Sequence, residues 1–170
     1  MKVVWYKQPE MIVALSALII SLVTTVVSIF SAYTERQYAK ASVWPQIEMF
    51  HNNGSDIFQL TVTNRGNGPA LVKYARVEYQ GKFLKSWRDF DNIPSISTSA
   101  ISKRTISPGQ TITTLSYHGE EVAPFMEIAK ALDFSLCYCS IYDECWTSKY
   151  SGPTRPVEHC ELADEERFRH

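Results

Sequence analysis

An N-terminal transmembrane α-helix followed by a mainly-β sandwich domain with one short helix is the architecture this sequence predicts. Three observations predict it. Residues 11–30 (MIVALSALIISLVTTVVSIF) are twenty residues without a charge, and at ~1.5 Å per residue such a helix covers the ~30 Å hydrocarbon core of a bilayer. After Pro45 the apolar pattern changes from helical to alternating, with turn-forming residues at short intervals. Only 121–132 (EVAPFMEIAKAL) returns to a helical period in the soluble part.

Taken in order, residues 1–10 are a short tail and 11–31 the span. A cleaved signal peptide would be shorter, with small residues where Ile29 and Phe30 stand; Ala39-Lys40-Ala41 has that form but lies well past the apolar run. For a buried core helix of a soluble domain the run is too long and is apolar on every face. Trp5 and Tyr6 before the run and Tyr33 after it stand where interfacial aromatics are expected. Orientation is tied: Lys2 and Lys7 precede the span, Arg36 and Lys40 follow it. The expected placement is single-pass in the cell inner membrane, with the cytoplasmic side preferred for the soluble domain.

Within the span, Ala14, Ala17, Ser21, Thr24, Ser28 and Ser31 recur at alternating steps of three and four. Lipid offers little hydrophobic drive for helices to meet, so association relies on close backbone approach and interhelical hydrogen bonds, which small and hydroxylated residues supply. This seam makes a homo-oligomer through the span the expected partner arrangement, against the simpler alternative that the stripe is accidental.

Residues 32–43 continue the helix as a linker until Pro45 stops it. Strands are expected at 46–49, 57–63, 70–79, 82–87 and 111–117, with Gln80-Gly81 turning between the third and fourth. In the helix at 121–132, Pro124 fits only the first turn. A hairpin over Asp143-Glu144 joins 134–142 to 145–150. The domain thus runs 44–150, and 151–170 reads as a loosely held tail with a short helix around 161–168.

Asn64-Arg65-Gly66-Asn67-Gly68-Pro69-Ala70 follows a strand ending in Thr-Val-Thr, Gly81 follows the next strand, and Ile106-Ser107-Pro108-Gly109-Gln110-Thr111 opens a later one. Over residues 57–117 this succession resembles the immunoglobulin-like adhesion-type domains of bacteria. The whole chain is similar to uncharacterised proteobacterial single-pass proteins with a V-W-P element, N-x-G-x-G-P-A and a C-Y-C-S-I-Y-D-E-C-W segment. The resemblance implies an immunoglobulin-like sandwich and carries no catalytic residue with it; the chain departs from the adhesion-type pattern after 117. In the turns themselves, Gly66 and Gly68 are expected to supply positive φ, Asn64 to bond its own turn, and Pro108-Gly109 to form a type II turn.

Removing the first 43 residues leaves 127, enough for one domain, with 13 basic against 16 acidic side chains. That balance argues against nonspecific nucleic-acid binding, which needs a basic surface. Cys137, Cys139, Cys145 and Cys160 lie in the last third, with Cys137 and Cys139 on one strand face. They can be free thiols, disulfides or, with His159 nearby, a zinc site; free thiols are the preferred expectation, since the C-x-C pair cannot readily bond to itself. His51, His118, His159 and His170 stand in no catalytic frame, and no hydrolase or phosphate-binding motif occurs. No cofactor is expected. Trp87 and Arg88, with Lys103 and Arg104 across a long Ser/Thr-rich connection, are the candidate ligand-binding set, because an indole and cations suit a nucleotide or an anionic partner; the bland alternative is a mobile polar loop.

Two functions follow. The first is a non-enzymatic membrane-anchored effector, whose sandwich senses a protein or small signalling ligand and whose self-associating span perturbs the membrane, a build found by analogy in antiphage defence. The alternative is a passive membrane-tethered interaction module of the bacterial envelope.

Overall fold

The computed structural model describes residues 9–90 and 96–169, in two compact units, 1–41 and 42–170. Lys2, Trp5, Tyr6, Lys7 and the 91–95 part of the long connection lie outside the described residues.

The first unit is helix α1, Pro9–Ser42, continuous over 34 residues, about 51 Å at ~1.5 Å per residue. None of its residues is buried, and it is long and apolar enough to cross a membrane. The hydroxyls of Ser16, Ser21, Thr24, Thr25, Ser28 and Thr34 donate to carbonyls three or four residues earlier at 2.7–2.9 Å. These hydroxyls are thereby satisfied inside the helix, which suits an apolar surrounding.

The second unit is a β-sandwich of two antiparallel sheets around one core. One sheet has the order β1 (Ile47–Asn53), β2 (Ile57–Asn64), β7 (Thr111–His118), β5 (Ser97–Thr98). The other runs β10 (Gly152–Val157), β9 (Cys145–Lys149), β8 (Leu132–Cys139), β3 (Ala70–Tyr79), β11 (Arg167–Phe168), with β4 (Lys82–Leu84) and β6 (Thr105–Ile106) also pairing β3. Helix α2, Ala123–Ala131, carries Pro124 in its first turn, and Phe125 stacks on Phe58 and Tyr117 with ring centroids 5.6 and 4.3 Å away.

Strict alternation would not bury the right faces, and two bulges correct it. In β3 the buried residues are Ala70 and Val72, then Ala75 and Val77; the register against β8 slips between Val72 and Tyr74, so one extra residue keeps both pairs inside. The β2–β7 register slips between Leu60 and Thr61, and the Thr114 hydroxyl bonds the Leu60 carbonyl at 3.1 Å.

Where the chain leaves α1, it is fastened to the sandwich by Asn64, which is fully buried. Its Oδ1 accepts the N–H groups of Gln46 (3.2 Å) and Gly66 (3.0 Å), and its Nδ2 donates to the carbonyls of Gly68 (2.8 Å) and Ile106 (2.9 Å). Backbone bonds from Arg65 to Gln46 and from Asn67 and Gly68 to Trp44 complete the clamp. Gly66 and Gly68 do not take the positive φ expected of them. They are required for closeness instead: a Cβ on Gly66 would overlap the Trp44 carbonyl, and one on Gly68 the Val43 carbonyl. Gly109, at φ +72°, does follow the expectation, closing Ser107–Gln110 as a type II turn.

The C-terminal segment differs from the expected loose tail with a helix at 161–168. It forms β10 and β11, and Phe168 is fully buried with its ring 4.9 Å from that of Trp87. Arg76 donates a hydrogen bond to Glu78 (2.7 Å) and forms an ion pair with Glu166 (3.1 Å), which ties the last turn before β11 to β3. Burial of one aromatic outweighs the weak helical propensity of a short charged run.

Asn64→Ala is expected to cost about 3 kcal/mol or more, because it strips partners from four backbone groups. Gly68→Ala should prevent the 43–46 segment from docking. Both are read as lost cooperativity or a lowered urea midpoint of the full chain in detergent; unchanged midpoints would contradict the clamp.

Candidate binding groove

Strand β1 is an edge, and its outward backbone groups alternate along the antiparallel ladder. Ile47 lies opposite Asn64, whose own N–H and carbonyl turn towards Gln110 and Gly109, so Ile47 points its backbone groups away from β2. They are satisfied there: the N–H donates to the Tyr138 hydroxyl at 3.2 Å, and the carbonyl accepts the Ser148 hydroxyl at 3.0 Å. Two and four residues on, Met49 and His51 face the same way. Among the described residues, no hydrogen bond reaches their outward N–H and carbonyl groups.

That open edge forms one wall of a groove of about 470 Å³, lined by Met49, Phe50 and His51 from β1, Met126 and Lys130 from α2, and Tyr150 after β9. The His51 Nδ1 is hydrogen-bonded to the Tyr150 hydroxyl, and its ring lies 6.0 Å from that of Phe58. Burial raises the Tyr150 phenol above its ordinary range. Burial does the same for Tyr138, opposed by the Ile47 N–H and the Thr154 hydroxyl. The groove therefore offers backbone donors and acceptors at strand spacing, two thioethers and a fixed imidazole. Among the described residues its lining includes no carboxylate pair and no free thiol.

Trp87, expected to stack on a ligand, is instead 1% exposed, packed among Phe90, Phe134 and Phe168. A 3-10 turn capped by Ser86 and Asp89 turns it inward and leaves Arg88 on the surface. Lys103 and Arg104 are exposed, and the Arg104 guanidinium bonds the Ala100 carbonyl at 3.3 Å. The indole is thus withdrawn from the predicted ligand set. Nothing in the sequence of 87–104 signals this, because the partner Phe168 arrives some eighty residues later.

Free thiols were the preferred expectation for the cysteines, and the structure corrects it: Cys137 is bonded to Cys160 and Cys139 to Cys145. Alternation puts Cys137 and Cys139 on one face of β8, as the sequence indicates, while Cys139 stands directly opposite Cys145 on β9. Leu136 and Tyr138 take the core face, so the cysteine face is the outer one, to which Cys160 fastens the C-terminal segment. The sulfurs of Cys139, Cys145 and Cys160 lie within 4.8 Å of one another, close enough for the zinc alternative, but pairing consumes all four as ligands.

The seam residues Ala14, Ala17, Ser21, Thr24, Ser28 and Ser31 all fall within α1, where the hydroxyls of Ser21, Thr24 and Ser28 bond their own helix.

The fold is that of a mainly-β sandwich protein preceded in the chain by one helix long and apolar enough to cross a membrane. The chain belongs to the family described as domain of unknown function (DUF8453), which matches residues 11–155 and so takes in nearly all of the apolar helix and the sandwich as far as β10. No curated protein matches it.

Trp87→Ala should cost about 3–5 kcal/mol, as truncation of a buried aromatic does, whereas Arg88→Ala should stay within about 0.5 kcal/mol. Equal effects in chemical denaturation would return Trp87 to the surface. Loop closure ranks the disulfides: replacing Cys137 and Cys160, 23 residues apart, by Ala should cost about 3 kcal/mol, against about 2 for Cys139 and Cys145, six apart. The urea midpoints of the two double variants test that order.

Proposed function

We propose that this chain is a non-enzymatic, membrane-anchored interaction module whose sandwich takes up an extended segment of a partner protein along the edge of β1. The observation that carries this reading is the pair of unpartnered backbone sites, Met49 and His51, opening into an apolar groove. Strand sites two residues apart repeat at ~6.8 Å, a spacing that another extended backbone matches directly. Main-chain bonds add only about 1 kcal/mol each. Affinity must then come from an apolar partner side chain seated against Met49 and Met126. The likeness of 57–117 to adhesion-type domains supports a binding role, and the uncharged run of α1 supports a tether in the cell inner membrane.

A second reading has a specific observation in its favour. The clamp from Asn64 and its turn holds Trp44 and Gln46, the residues that directly follow the helical linker in the chain. Binding at the sandwich could then bias a self-associating span, which is what a membrane-perturbing effector needs. The small-residue seam supports that span, and analogy of build alone supports antiphage defence as its setting.

The test selects linear peptides from a random display library against the full chain in nanodiscs, then measures them on His51→Pro. Proline there removes an outward N–H without touching the β1–β2 ladder. Selected peptides should lose at least tenfold in affinity to H51P and little to leucines at Ala17, Ser21 and Thr24. Peptides that bind H51P unchanged would sink the edge-addition reading. Membrane leakage on expression, abolished by the three leucines, would favour the effector.

A further inference from the structure

Independently of what the groove binds, we infer that the sandwich lies on the oxidising face of the membrane, so that the chain crosses with its N-terminus in the cytosol. Charge leaves the orientation open, with two basic residues on each side of the apolar run. The cysteines decide it. All four are in disulfides, and the two bonds touch: the Cys139 and Cys160 sulfurs are 3.7 Å apart. Cytosolic thiol pools keep such pairs reduced, whereas secreted domains of this size use them as structure.

What the bonds hold points the same way. Cys160 sits in a stretch, 158–166, without strand or helix, whose side chains are mostly exposed. Its fastening to Cys137 is a covalent tie between that stretch and β8, just before Phe168 enters the core beside Trp87. Edge strand β10, which leads into the stretch, is exposed along almost its whole length. With so little apolar burial between Val157 and Phe168, the covalent bond takes over the task that packing performs elsewhere in the domain.

The pairing is nested, Cys137–Cys160 enclosing Cys139–Cys145. Cys139 and Cys145 are aligned as soon as the β8–β9 hairpin closes, while Cys137, opposite Thr147, waits for Cys160. Each bond joins two thiols, which release two protons and pass two electrons to the disulfide of a thiol oxidase, leaving that catalyst as a dithiol. A mispaired Cys139–Cys160 bond can be corrected within the cluster. The Cys137 thiolate attacks the Cys160 sulfur, Cys139 leaves as thiolate and takes up a proton, and Cys139 and Cys145 are then oxidised together.

The experiment is done on the full chain in bacterial membranes, quenched in acid and alkylated in denaturant with a maleimide–polyethylene glycol. The inference expects no adduct before reduction and four after it. In Cys160→Ser, one adduct should form without reductant, on Cys137. Four adducts without reductant, or four thiols with one equivalent of zinc released on their modification, would overturn it. Should the variant be degraded, reporters fused after His170 keep the question decidable. A phosphatase that works only outside the cytosol should be active and a cytosol-dependent fluorescent protein dark; the reverse pattern overturns the inference. Failure of peptide binding to depend on His51 would leave these outcomes untouched.

Discussion

The buried carboxamide of Asn64 holds together three pieces of chain that local preferences alone would leave apart. Its oxygen gathers the Gln46 and Gly66 N–H groups, and its nitrogen reaches the Gly68 and Ile106 carbonyls. The side chain thereby does for the start of β1, the β2–β3 turn and the end of β6 what a sheet ladder does for strands. A buried amide is tolerated because all four of these bonds are made; a half-satisfied one would cost more than an apolar residue in its place. Everything downstream inherits this geometry. The register of β1 against β2 begins at Ile47, beside the clamp, and that register determines which backbone groups of β1 face outward.

The sheet edges are treated unequally. β10 carries Pro153 and Pro156, which remove donors and blunt it, and β5 and β11 are only two residues long. β1 has seven residues and no proline, and only its first outward position is covered by side chains, those of Tyr138 and Ser148. The edge is thus left open where others are closed, beside Met49, Met126 and a His51–Tyr150 pair, and it is on this contrast that the proposed strand addition rests.

At the other end of the chain, covalent bonds compensate for sparse burial. The 158–166 stretch is bonded to β8 through Cys160 and is held further along by Arg76 on Glu166 and Lys85 on the Asp164 carbonyl, and Phe168 completes an aromatic group with Trp87, Phe90 and Phe134. A disulfide acts largely by limiting the unfolded chain, so its effect grows with the loop it closes, and Cys137–Cys160 closes the longer of the two. This division of labour, amide clamp at one terminus and sulfur staple at the other, leaves the central strands to ordinary packing.

Short-range signals were legible. The uncharged run gave α1, alternation located β2, β3, β7, β8 and β9, and Pro108-Gly109 gave its turn, since each depends on residues a few positions apart. The same range explains the errors. Gly66 and Gly68 looked like conformational glycines because a sequence shows φ preferences but not the backbone of residues 43–46 lying against them. Trp87 beside Arg88 looked like a ligand platform because Phe168 was invisible to it. The shared face of Cys137 and Cys139 could be read, but their partners could not, and neither could the bulges at Val72–Tyr74 and Leu60–Thr61. The sequence by itself determined which segments become helix or strand and which side chains share a face, because periodicity and turn chemistry are local. Only the tertiary structure decided what those faces meet, because a contact across twenty to eighty residues depends on how whole strands are ordered and registered.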